Sequence, residues 1–188
     1  MTRTLELFID CDNVVYNLNE HVISVMNEEL AMNYNYKDNK SWWWLDTGVN
    51  KRYFENLLLR DGIFKNGRPI FEAVKYINKL YEEGYKIVFI SAPQWEGNMM
   101  IERVQWLKDA FYWFNPDINL VFTVNKSLCS NENRLLIDDS IGNLNSWNDF
   151  KICFSQPHND NYDGEITDSW EELYRIINSL EEKINESI

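Results

Sequence analysis

A chain of 188 residues with 45% apolar content is long enough to bury one core and too apolar to remain disordered. Thirty acidic residues against eighteen basic ones leave a net charge of −12, which argues against a long nucleic acid as partner, because phosphate backbones are bound through many Lys and Arg side chains. A small phosphorylated molecule held beside one divalent cation is still admissible.

No apolar run reaches the roughly 18 residues that a membrane span needs, and the opening MTRTLELFID lacks the sections of a signal peptide. Cys11, Cys129 and Cys153 have neither disulfide nor zinc spacing. A soluble, cytoplasmic protein with reduced thiols is expected, with no membrane partner.

The first predicted element is LELFID, residues 5–10, an apolar run that stops at Asp10, with Asp12 one residue beyond. The next strand-like run begins only at Lys86, much further on than a crossover of a dozen or so residues requires. Residues 16–68 are therefore expected to be a helical cap inserted into an α/β core made of residues 1–15 and 69–188. Within that insertion Val22, Val25, Met26 and Leu30 recur at helical spacing, and KRYFENLLLRDGIF reads as a second helix around Phe54, Leu57 and Leu58.

RPIFEAVKYINKLYEEGY then carries a helix from near Pro69 to a stop at Gly84. Four further apolar runs follow: KIVFIS (86–91), INLVFT (118–123), RLLIDD (134–139) and FKICFS (150–155). A helix is expected over 97–114. Another closes the chain with Asp168 or Ser169 as its cap and Trp170, Leu173, Tyr174, Ile177, Leu180 and Ile184 on one face. Alternating helices and continuous apolar strands predict an α/β fold with a doubly wound, mainly parallel sheet covered on both faces.

In such sheets ligands bind beyond the carboxyl ends of the strands. That rim receives Asp10 and Asp12 from the first strand, Ser91 from the second, Lys126 after the third, and Asp138 and Asp139 from the fourth. Phosphoryl transfer uses this combination. A carboxylate can attack phosphorus and divide a difficult hydrolysis into two displacements. A hard cation and an ammonium offset the repulsion between anions, and a second carboxyl moves the proton. Asp10 and Asp12 can divide the two carboxyl roles, because one intervening residue lets the turn aim them differently.

The order of DCDNV, FISAP, VNKS and LLIDD resembles the haloacid dehalogenase superfamily of phosphatases. Within it, FNPDINLVFTVNKSLCSNENRLLIDDSIGNL, KICFSQPHN and DSWEELYRII are similar to the 5'(3')-deoxyribonucleotidases. The resemblance implies a Mg2+-dependent hydrolase of deoxynucleoside monophosphates that works through an aspartyl phosphate. Asp10 would be nucleophile and metal ligand, and Asp12 the acid/base that also binds the metal through its carbonyl. Ser91 and Lys126 would hold the phosphoryl group, Asp139 would complete the metal site, and Asp138 would support it. Ala92 stands in the phosphate-binding loop where many nucleotidases carry a second hydroxyl, and Asn13 where relatives often carry a small or acidic residue. A small-molecule nucleotide is the expected partner, and a homodimer is compatible with the family.

SWWWLDTG, residues 41–48, offers Trp43 and Trp44, beside Trp42, as a wall for a nucleobase, with Leu18 and Phe64 as further pocket lining. Nucleobase stacking on aromatic rings is typically worth ~1 to 3 kcal/mol per base. His21 and His158 are expected on the surface. Other readings share parts of the pattern: a phosphatase of another small phosphomonoester or of a nucleic-acid 3' end, and a catalytically silent nucleotide-binding relative. A phosphoryl-accepting receiver domain fits less well, since Lys126 precedes the acidic pair here and that fold has no place for the insertion.

Overall fold

The computed structural model describes residues 3–41 and 46–187. Six parallel strands, β1 (Glu6–Ile9), β2 (Lys86–Ser91), β3 (Leu120–Phe122), β4 (Arg134–Asp138), β5 (Phe150–Phe154) and β6 (Ile166–Thr167), form one sheet in the order β3-β2-β1-β4-β5-β6. This is the doubly wound α/β architecture expected from the sequence, and its order reverses at β1, which lies between β2 and β4.

Successive side chains of a strand point to opposite faces, and the core divides accordingly. Leu7, Ile9, Ile87, Phe89, Leu135 and Ile137 pack on one face, while Phe8, Val88, Ile90 and Leu136 pack on the other with Leu144 and Trp147. Two covered faces explain why the strands read as continuous apolar runs rather than as alternating ones. The described α-helices are α1 (Leu18–Leu30), α2 (Lys51–Leu58), α3 (Ala73–Glu82), α4 (Met99–Ala110), the short α5 (Pro116–Asn119) and α6 (Ile141–Ser146), and α7 (Trp170–Ser187), of which α6 packs against β4 and β5.

Several boundaries differ from expectation, each for a local reason. The helix assigned to begin near Pro69 begins at Ala73. Pro69 instead forms an antiparallel bridge with Tyr16, flanked by hydrogen bonds from Asn17 N to Arg68 O and from Ile70 N to Val15 O, both 2.9 Å. The expected third strand loses its first residues to α5, where the Asn115 side chain accepts from Asp117 N at 3.1 Å and Pro116 starts the turn. Strand β6 is only two residues long, too short to leave a periodic trace in the sequence. Ser169 is the residue that caps α7, accepting from Glu172 N at 3.3 Å.

The chain leaves β1 and returns to α3 along the paired residues 15–17 and 68–70. Gly67 permits this approach, because a Cβ there would lie 2.7 Å from the Tyr16 ring.

Register is pinned at the start of the sheet. Glu6 stands opposite Lys86 of β2 and Arg134 of β4, accepting from Lys86 Nζ at 2.5 Å and from Arg134 Nε at 2.8 Å. A slip of one residue would turn every inward side chain outward. The same register brings Ile9 opposite Ile137, so Asp10 and Asp138 emerge side by side.

Burial alone would raise the Glu6 carboxyl, but hydrogen bonds and charge from Lys86 and Arg134 outweigh it and leave the group below its ordinary 4.5. A depressed folded value means that the contribution is complete above pH 4.5 and is lost as pH falls through the folded value. Glu6→Gln should therefore lower stability by less than about 1 kcal/mol at neutral pH. Urea unfolding at stepped pH should show the wild-type and Gln curves converging on acidification; a constant difference would contradict the assignment.

Candidate active site

Where the strands end, the sheet opens into a cavity of about 320 Å³ lined by Asp10, Asp12, Ser91, Ala92, Lys126, Asp138 and Asp139, together with Leu18 and Phe64. That volume falls at the lower end of the roughly 300–1,000 Å³ of small-molecule sites. Trp42, Trp43 and Trp44 lie outside the described residues. Every other residue singled out for the site from the sequence borders this one cavity.

Lys126, at the first position of a short helical turn after β3, is 3% exposed. Its ammonium bonds Asp10 Oδ1 and, at 2.7 Å, Asp138 Oδ2. Burial disfavours its charge, but the two carboxylates prevail, so Lys126 holds its proton more firmly than a lysine in water. Asp138 is fully engaged. Its Oδ1 accepts from Ser140 N at 2.8 Å, and Asn143 Nδ2 donates to both its oxygens at 3.2 and 3.1 Å.

Asp139 Oδ2 accepts from Asn13 Nδ2 at 3.1 Å and lies 3.2 Å from His158 Nε2. Asp10 keeps Oδ2, and Asp139 keeps Oδ1, clear of these contacts. The carboxyl of Asp10 is pushed up, first by burial and then by the charges of Asp138, Asp12 and Asp139, against the pull of Lys126. Asp139 is raised by burial too, with His158 and Asn13 opposing.

Four carboxylates thus face two permanent cations, Lys126 and Arg103, around the cavity. Asp10, Asp138 and Asp139 each bring an oxygen within 4.8 Å of the others. An all-oxygen set with a deficit of positive charge suits a hard divalent cation. Ser91 Oγ is buried with no hydrogen-bond partner among the described residues, an arrangement that a polar ligand entering the cavity would complete.

Cys11, between Asp10 and Asp12, is fully buried in the core. It anchors the turn while its two neighbours serve the rim. Asn13 follows with φ of 61°, a left-handed conformation that Asn tolerates. Its Oδ1 accepts from Asn19 N at 2.9 Å, so Asn13 ties the acidic pair to the start of α1.

Two titratable residues of the cavity wall, His158 and Arg103, were not anticipated. His158, expected on the surface, has a side chain only 5% exposed. Its loop is drawn inward by Asn159, which donates to Asp139 O at 2.8 Å and Phe154 O at 2.9 Å, and by Gln156 Nε2, which donates to Asn13 O at 2.8 Å. These ties join segments distant in sequence and have no local trace. His21 does not border the cavity.

Arg103 is 3% exposed and bonds Asp12. Burial opposes the guanidinium charge, but Asp12 and Tyr16 more than restore it. A signal for Arg103 does exist: the buried positions of α4 are Met99, Glu102, Arg103, Trp106 and Leu107, an apolar stripe interrupted by two charges. Glu102 accepts backbone N–H groups from Gly62, Phe64 and Lys65 at 2.5, 3.0 and 3.3 Å and so fastens the loop that presents Phe64.

The model of the family described as 5' nucleotidase, deoxy (pyrimidine), cytosolic type C protein matches residues 3–184. Curated relatives described as 5'(3')-deoxyribonucleotidase, from Bacillus subtilis and from Bacillus phage SPbeta, are each 28% identical over 116 residues, which is 61% of this chain. The match spans 65% of the length of those relatives.

Among solved structures, a HAD-superfamily hydrolase from Ehrlichia chaffeensis superposes with TM-score 0.58 at 15% identity, covering 96% of this chain and 98% of that one. A HAD hydrolase from Bacillus subtilis, bound to magnesium, gives 0.57 at 13% identity over 94% and 100%. These two structures share the fold.

Glu102→Ala would leave three backbone N–H groups without their charged acceptor, at about 2–3 kcal/mol. Urea unfolding should show that loss, with faster proteolysis between residues 59 and 68. Unchanged stability and cleavage would show that the loop is held by other contacts.

Proposed function

Because the chain belongs to the 5' nucleotidase, deoxy (pyrimidine), cytosolic type C family, we propose that it hydrolyses deoxynucleoside monophosphates to nucleoside and phosphate. The observation that carries this reading is the buried Lys126 ammonium held against Asp10, in the cavity that the Ser91 hydroxyl, unpartnered among the described residues, also borders. It provides a nucleophile, a counter-charge and a phosphoryl hydrogen-bond partner together.

Asp10 attacks phosphorus, and the bond to the ester oxygen breaks as Asp12 gives that oxygen a proton. Water then attacks the aspartyl phosphate, Asp12 takes a proton from it, and the Asp10 carboxylate is released with inorganic phosphate. Lys126 and Ser91 hold the phosphoryl oxygens throughout, and the backbone of Ala92 continues that loop. Asp138, with its oxygens already bonded, fixes Lys126.

Asp10, Asp139 and the backbone carbonyl of Asp12 would hold a magnesium ion, which when bound supplies positive charge to the phosphoryl oxygens. The open oxygens of Asp10 and Asp139 and the deficit of cations around the cavity support that assignment. Residues 16–68 act as a cap that excludes bulk water during the charged steps. The paired entry and exit at Tyr16 and Pro69 and the places of Leu18 and Phe64 in the cavity wall support this role.

Phosphate release should be followed on a panel of 5' and 3' deoxynucleotides, ribonucleotides and sugar phosphates, with and without magnesium. The expected result is magnesium-dependent turnover favouring deoxynucleotides, lowered at least about a thousandfold in Asp10→Asn. Turnover confined to other phosphomonoesters would remove the nucleotide assignment, and absence of turnover would leave a binding protein.

Metal binding has a separate readout. Magnesium should raise the thermal midpoint of the wild type, since a ligand of the folded state stabilises it, and should leave that of Asp139→Asn nearly unchanged. An equal rise in both would place the ion elsewhere.

A further inference from the structure

Asp12, the proton carrier in the reaction proposed above, is surrounded more tightly than a free acid/base requires. Arg103 Nε donates to its Oδ1 at 3.1 Å, and Arg103 Nη2 donates to its Oδ2. The Tyr16 hydroxyl donates to Oδ1 as well. A carboxylate offers about four lone-pair sites. Three are occupied, and among the described residues one site, on Oδ2, is left.

Arg103 itself is fixed on every side. Its third nitrogen, Nη1, donates to the Ala92 carbonyl at 3.3 Å, and its Cζ lies 4.4 Å from the centre of the Phe64 ring. Phe64 is in turn held through its backbone by Glu102, the residue before Arg103. A planar, doubly bonded fork held this way dictates the plane and rotation of the carboxylate it grips.

We propose that Arg103 is a positioning residue for proton transfer: it holds Asp12 so that one oxygen, Oδ2, exchanges protons with the ester oxygen and then with water. The inference rests on the hydrolase reading of the site. In the first step the Asp10 oxygen bonds to phosphorus, the bond from phosphorus to the ester oxygen breaks with its electron pair on that oxygen, and the Asp12 proton goes there. In the second step the water oxygen bonds to phosphorus, its proton returns to Asp12, and the bond between phosphorus and Asp10 breaks. The fork sets where the carboxyl group sits, and the phosphoryl dianion entering the cavity offsets the guanidinium charge.

Leaving-group chemistry separates this role from a structural one. An alkoxide must be protonated as it departs, whereas p-nitrophenolate leaves without a proton. For p-nitrophenyl phosphate, kcat/KM covers only the steps up to departure of the phenolate. The wild type, Arg103→Met and Arg103→Lys should be compared on that ester and on the alkyl phosphate that the wild type hydrolyses fastest, with circular dichroism as the check on folding.

General acid catalysis contributes about 10²–10⁴ in rate. Arg103→Met is therefore expected to lose roughly a hundredfold or more in kcat/KM on the alkyl phosphate and less than about tenfold on the aryl ester. Lys restores the charge without the fork and should show the same selective loss; if Met does not fold, Lys carries the test. Equal losses on both esters, or full recovery with Lys on the alkyl phosphate, would overturn the proposal. A wild type that hydrolyses neither ester would overturn the hydrolase reading beneath it.

Discussion

One buried ammonium holds the rim of this sheet together. Lys126 lies between Asp10 and Asp138, at a depth where an isolated lysine would give up its proton and two unpaired carboxylates would repel. Its charge lets the ends of β1 and β4 bring acidic groups into one cavity. Asn143 and Ser140 N fill the remaining contacts of Asp138, so the lysine is anchored on its structural side and engages Asp10 on the other. In the proposed reaction the same charge serves the phosphoryl group, which makes the interaction that stabilises the site also the one that would bind substrate.

The rim is only as good as the register beneath it. Parallel strands carry no hairpin to fix their alignment. Here Glu6 bonds one basic residue on each neighbouring strand at the far end of the sheet. Four residues later the chain delivers Asp10, and the Asp138–Asp139 pair lies alongside. Cys11 lies in the core between Asp10 and Asp12, so the turn is anchored where its side chains must be aimed.

Helix α4 connects this rim to the inserted residues. Glu102 and Arg103 occupy adjacent positions on its buried stripe and reach in different directions, one to the loop carrying Phe64 and the other to Asp12. Charges at such positions are tolerated because both are fully bonded. A substrate that shifts the loop would therefore be felt at Asp12 through packed and hydrogen-bonded atoms.

The sequence by itself determined the class of fold, the strands and the residues that meet at their ends. Apolar runs of strand length separated by helical periodicity leave few ways to bury a core, and the carboxyl ends of parallel strands converge wherever the strands pair. LFID, FIS, VNKS and LLIDD were sufficient for that. Local chemistry could not reveal which segments return to the site from elsewhere. His158 is inside only because Asn159 and Gln156 bond to Asp139 and Asn13. Pro69 is extended only because Tyr16 pairs with it. Arg103 reaches Asp12 across ninety-one residues of chain. Such contacts depend on which surfaces meet after the sheet has closed, so only the tertiary structure decided them.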